Sequence, residues 1–167
     1  MPLYLKELDV VPELARFHSV LIVPCRFCPA ASLAMRKNEP YIEVFRRLLR
    51  TASYELYIKK LQARLEEEGV KTGVFESWFP HQFFLCTWTS GRREQLSRCA
   101  RQYEAVLVLG CDSATETVRD SCKSSDCPVF QGMEVEGLVN FKPKFHFPCN
   151  ILLELSSVSR TLHQKDQ

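Results

Sequence analysis

The sequence predicts an α/β domain: an open, mostly parallel sheet with helices on both faces, in the three-layer Rossmann-like or flavodoxin-like manner. Ser19-Val20-Leu21-Ile22-Val23 is short, continuously apolar and rich in β-branched residues, as strands buried on both faces of a parallel sheet are. Ala105-Val106-Leu107-Val108-Leu109 has the same character. Helical spacing alternates with further strand-like runs between and after them, an order that argues for a parallel sheet covered by right-handed crossovers.

Taken in order, residues 1–17 read as an N-terminal arm. Leu5, Leu8, Val11 and Leu14 allow a short docking segment, and Pro12 limits any long helix. The first strand ends at Pro24 and Cys25. Pro29 then opens a short helix to Arg36, with Cys28 as its N-cap. A helical region follows from Tyr41 to Glu68, on the spacing of Tyr41, Phe45, Leu48 and Leu49 and then Tyr54, Ile58, Leu61 and Leu65, with a break near Thr51–Ser53. Gly69 fits the position just past a helix end. Val70 to Phe75 reads as a strand, and Phe79 to Leu85 as an extended apolar run ending at Cys86.

Ser90 is expected to cap a helix through Tyr103. The strand at Ala105–Leu109 ends in Gly110-Cys111, and Ser113-Ala114-Thr115-Glu116 has the pattern of a capping box that starts another helix. Pro128 to Phe130 and Val135 to Val139 read as short strands. Ile151 to Leu155 reads as a late strand or a helix start, and the polar tail 156–167 as a flexible end.

The 167 residues fit one domain, long enough to bury a core without covalent staples. Hydrophobic residues make up 46% and charged residues 25%, the composition of an ordinary globular chain. A net charge of +2 argues against nucleic-acid or membrane-surface binding. No apolar stretch is long enough to span a membrane, and the N-terminus lacks the regions of a signal peptide. These features predict a cytoplasmic protein with reduced thiols.

The cysteines are then the main anomaly. Eight are present, at 25, 28, 86, 99, 111, 122, 127 and 149. In a reducing compartment they point to metal ligation, redox chemistry or buried packing. Cys25, Cys86 and Cys111 each follow a strand-like run, and ligands of open α/β sheets bind outside the carboxyl ends of strands. Cys28 completes a C-x-x-C with Cys25 and starts a helix, whose N-terminus favours the thiolate. Cys25, Cys28, Cys86 and Cys111 are therefore the candidate ligands of an iron–sulfur cluster, of the 4Fe-4S type, or alternatively of zinc.

Other features weigh less. Cys122 and Cys127 allow a second site or a redox-labile pair, against incidental thiols on a surface turn. Cys149 near His146 could join a site, Cys99 reads as core, and His81 reads as a loop histidine. Arg46-Arg47 and Arg92-Arg93 read as solvated helix faces. Trp78-Phe79-Pro80 and Thr87-Trp88-Thr89 mark either a partner surface or core tryptophans. The chain lacks G-x-G-x-x-G after the first strand, a P-loop and a G-x-S-x-G elbow.

The run from Val20 to Cys28, then Cys86, then Ala105 to Cys111, followed by Pro128-Val129-Phe130-Gln131-Gly132, resembles the cysteine-rich accessory subunit or C-terminal domain of anaerobic methylenetetrahydrofolate reductases. The resemblance covers about residues 18–140. Pro24 stands where that pattern has glycine, Asp112-Ser113 replaces a glycine-rich turn, and the helical region 41–68 is longer. The resemblance implies a metal- or cluster-carrying accessory protein of anaerobic redox or one-carbon metabolism, with a redox or reductase-like protein partner. Two alternatives stand beside it: a thiol–disulfide oxidoreductase using Cys25 as nucleophile and Cys28 as resolving thiol, and a non-catalytic interaction module with buried structural cysteines.

Overall fold

The computed structural model describes residues 3–43, 51–76, 84–125, 127–147 and 150–160. The elements are β1 (Leu3–Glu7), α1 (Val11–Leu14), β2 (Ser19–Pro24), α2 (Cys28–Lys37), β3 (Ile42–Glu43), α3 (Ala52–Glu67), β4 (Lys71–Val74), a 3-10 turn (Leu85–Thr87), α4 (Ser90–Ala100), β5 (Ala105–Leu109), α5 (Asp112–Cys122), β6 (Val129–Gln131), β7 (Met133–His146) and β8 (Asn150–Arg160).

They form two sheets. One is parallel, in the order β4-β2-β5-β6, and carries the strands expected from the apolar runs. Every residue of β5, and every residue of β2 after Ser19, is buried, as strands covered on both faces require. The chain leaves β2 toward β4 on one side, then crosses back over β2 to β5 and continues outward to β6. Right-handed crossovers in opposite directions place helices on opposite faces. Accordingly α2 packs on α3, and α4 packs on α5.

The second sheet corrects the expectation of a single open parallel sheet. It is antiparallel, in the order β1-β7-β8-β3. The arm at residues 1–17 contains its edge strand, β1, before the short helix α1. The expected strand at 135–139 is part of a 14-residue β7, and the tail expected to fray from Ser156 is paired with β7 as far as Arg160. Gly132 joins the sheets: its N–H bonds Val108 O at 2.8 Å, and its carbonyl accepts Leu8 N at 3.0 Å.

Helix α2 lies against β1 and β8 as well as α3, and residues 29–35 are all buried. Its alanines allow that close approach. Ser32 holds β1 to it, accepting Leu5 N at 3.0 Å and donating to Cys28 O at 2.8 Å. The helix ends where Asn38 adopts φ 53°, a left-handed cap. Gly69 ends α3 in the same way at φ 80°, as expected.

Smaller corrections follow the caps. Phe27, not Cys28, precedes the first turn of α2; Thr89, not Ser90, precedes α4, which stops at Ala100; and Cys111 rather than Ser113 stands at the N-cap of α5. The helix expected from Tyr41 begins instead with the two residues of β3, then resumes at Ala52; residues 44–50 lie outside the described residues. No described helix is long and apolar enough to cross a membrane.

Candidate functional site

The order β4-β2-β5 makes the gap between β2 and β5 a topological switch point, where connections diverge to opposite faces and leave a crevice at the carboxyl ends. Cys25 follows β2 and Cys111 follows β5 at that crevice. The β2–β5 ladder runs one bond past the strand, from Cys25 N to Leu109 O at 2.9 Å. Both side chains are buried, 5% and 8% exposed.

Gly110 allows this approach. A Cβ on it would lie 3.4 Å from Cys25 Cβ and 2.7 Å from Ala114 Cβ. Gly110→Ala should therefore destabilise the fold by about 1–3 kcal/mol through overpacking at the first turn of α5, read as a lower urea midpoint with an unchanged slope.

The backbone delivers the other two cysteines. The N–H groups of Leu85 and Phe27 bond the Cys25 sulfur, which draws the 3-10 turn, and with it exposed Cys86, over the crevice. Cys86 thus sits on a turn and not at the end of an extended strand, as the run 79–85 suggested; residues 77–83 lie outside the described residues. Half-buried Cys28 begins α2, and the N–H of Leu3 bonds its sulfur.

These thiols feel one another. Burial pushes the Cys25 thiol up to about 12; its backbone N–H bonds oppose that, and Cys28 and Cys111 add to it. Burial also raises Cys28, with the Leu3 N–H opposing and Cys111 and Cys86 contributing. Two helix N-termini, of α2 and α5, begin at this edge, and their free N–H groups favour negative charge there. Among the described residues no three Cys, His, Asp or Glu side chains are already spaced as ligands of one ion. The four cysteines are thus a neighbourhood of sulfur whose side chains would have to re-orient to ligate one ion.

Residues that are not cysteines build the walls. Arg26, inside the C-x-x-C, is 6% exposed and forms an ion pair with Glu55 of α3. Tyr54, its neighbour on α3, donates to Leu109 O at 3.1 Å and so pins α3 to the end of β5. Burial first, then Cys25, keeps that phenol protonated. Phe27 packs on Phe84 at 4.4 Å between ring centroids and meets Tyr41 edge-on at 6.5 Å. A charged residue within a C-x-x-C at the end of a buried strand was the available signal for Arg26. Nothing local marked Glu55 or Tyr41.

The remaining candidates lie elsewhere. Cys122 ends α5 and Cys127 precedes β6, at the opposite end of the parallel sheet, where Cys127 donates to Tyr103 O at 3.5 Å. Burial, then Cys122, pushes Cys127 up to about 11, which does not suit a labile thiolate. Cys99 is half-buried on α4. His146 is exposed at the end of β7; Cys149, His81, Trp78, Arg46 and Arg47 lie outside the described residues. Trp88 is buried against Phe75, with Arg92 over both rings, so it belongs to the core.

Compared with known proteins, the chain matches no family model, no curated protein and no solved structure.

Proposed function

We propose that this chain is a metal- or iron–sulfur-binding accessory protein whose site is the cysteine edge of the parallel sheet. Cys25, Cys28, Cys86 and Cys111 would hold the group. The observation that carries the reading is the placement of Cys25 and Cys111 side by side at the switch point, with Cys28 and Cys86 close enough to raise or share their charge. Thiolates gathered in a buried crevice repel, and a bound cation relieves that repulsion. A 4Fe-4S cluster would supply one-electron transfer there; zinc would supply a structural cross-link. The partner in this reading is a redox or methylenetetrahydrofolate reductase-like subunit in the cytoplasm, after the resemblance of the cysteine pattern.

The thiol–disulfide alternative is less well supported. Its nucleophile, Cys25, is the more buried cysteine of the pair, whereas attack on a protein disulfide needs an accessible thiolate. The deciding measurement is iron, sulfide and zinc per chain on anaerobically prepared protein. Equimolar iron and sulfide, with visible absorbance, supports the cluster. Stoichiometric zinc supports the structural site. Protein free of metal whose thiols all alkylate would remove both.

A further inference from the structure

One edge of β8 is open among the described residues. β3 runs beside only residues 150 and 151 of it, so residues 153–160 have no strand alongside. From Glu154 to Arg160 every residue is exposed except half-buried Val158. Antiparallel pairs alternate between those that exchange hydrogen bonds and those whose N–H and C=O groups point away from each other. Tyr41 N bonds Ile151 O, so residue 151 points outward, and by alternation so do Leu153 and Leu155. The ladder with β7 then skips Ser156: Phe141 pairs with Leu155, but Asn140 pairs with Ser157. Beyond this bulge Val139 pairs with Val158, in the same phase of β7 as Phe141, so Val158 points outward too. Leu155 and Val158 therefore present backbone donors and acceptors to the open edge. Their side chains share the face that carries Phe141 and Val139, and Leu155 is 41% exposed. An open edge is a template for pairing, which proteins block with proline or charge. Pro143, opposite Leu153, blocks the far edge of β7 in this way. The stretch 154–159 of β8 has no proline and a single charge, Glu154.

We infer that this edge pairs with the same edge of a second copy of the chain, antiparallel, across a two-fold axis between Ser156 and Ser157. The edge is self-complementary in that register. Leu155 of each copy meets Val158 of the other, and both residues point outward, so each pair exchanges backbone hydrogen bonds. The same two pairs are apolar and cover the exposed Leu155. Glu154 meets Ser159, so no like charges oppose each other. Ser156 and Ser157 meet at the axis, where small side chains leave room for the two bulges. A contact of this symmetry uses every favourable pair twice, which favours a second copy over an unrelated strand. The antiparallel sheets of the two copies would then join into one. The inference goes beyond the proposed function and does not depend on the cysteine site.

The test uses the full chain, kept reduced so that no disulfide joins two copies. Sedimentation equilibrium should show a monomer–dimer equilibrium. Hydrogen exchange, read by mass spectrometry over a range of protein concentrations, should show protection at 154–160 rising as the dimer forms. Leu155→Lys should raise the dimer dissociation constant about tenfold or more, because the charge enters the interface twice. Its far-UV circular dichroism should match wild type, since Leu155 already meets water in the single copy. A chain that stays monomeric up to its solubility limit would overturn the inference. So would a dimer whose exchange at 154–160 does not change with concentration, or one that a folded Leu155→Lys leaves intact. If Leu155→Lys does not fold, the concentration dependence of exchange in wild type decides the matter alone.

Discussion

Replacing Cys25 or Cys111 by serine should lower affinity for the bound metal by on the order of 100-fold or more, past the roughly 10–100-fold range typical of changes outside the ligand shell. Both residues lie at the crevice between β2 and β5 and are buried there. Serine fits the space. At position 25 the N–H groups of Leu85 and Phe27 would find an oxygen in place of sulfur, so the metal-free fold should survive. The loss should therefore appear in metal content and chelator competition, not in the melting curve of metal-free protein. Cys28→Ser should fall close behind, and Cys86→Ser should cost least, because Cys86 is exposed on a short turn. Cys122→Ser and Cys127→Ser, at the other end of the sheet, serve as controls. If all four serine variants at the edge retained metal like wild type, the site would have to lie elsewhere.

The parts of this site that sequence reveals are those set by local pattern. Val20 to Val23 and Ala105 to Leu109 announce buried strands by continuous apolar, β-branched composition, and a cysteine after each can be read without tertiary knowledge. What makes the two cysteines neighbours is strand order, which depends on crossovers and has no local signature. Glu55 and Tyr41 reach the site only because α3 and β3 fold back over the C-x-x-C turn.

The antiparallel sheet was hidden for a different reason. In β7 the odd positions Val139, Phe141 and Phe145 alternate with Asn140, Lys142, Lys144 and His146, a period of 2 interrupted by Pro143. Proline in a strand reads as a break, yet here it is placed harmlessly. Tyr41 N bonds Ile151 O, so residue 151 of β8 faces β3 and, by alternation, so does Leu153. Pro143 lies opposite Leu153, so its missing N–H points away from β8. β1 pairs only with residues 133–138, so the position falls on a free edge, where a missing donor also discourages unwanted pairing. Beyond it, Phe145 and Phe147 stand 79% and 100% exposed near the hairpin tip. The two most exposed aromatics among the described residues are thus on this hairpin, while Trp88 is core.

Glu55→Ala should destabilise the protein by about 3–5 kcal/mol, the cost of leaving a buried charge without its partner. Arg26 and Glu55 are only 7% and 15% exposed in their side chains, so water does not replace the lost carboxylate well. An exposed ion pair would lose only about 0–1 kcal/mol on the same change, and urea unfolding of the metal-free protein separates the two cases. The physical origin is desolvation, not mutual attraction. Hence the double variant Arg26→Met/Glu55→Leu should recover most of the loss, because it removes both charges and keeps the volume. A double variant as unstable as Glu55→Ala alone would mean that the side chains matter for shape and not for charge. The consequence for the site follows from position. Arg26 lies between Cys25 and Cys28, and Glu55 adjoins Tyr54, which is bonded to the end of β5. The ion pair thus ties the C-x-x-C turn to the same helix that anchors the strand carrying Cys111. Loosening it in Glu55→Ala should weaken metal binding together with stability, whereas the double variant should regain both.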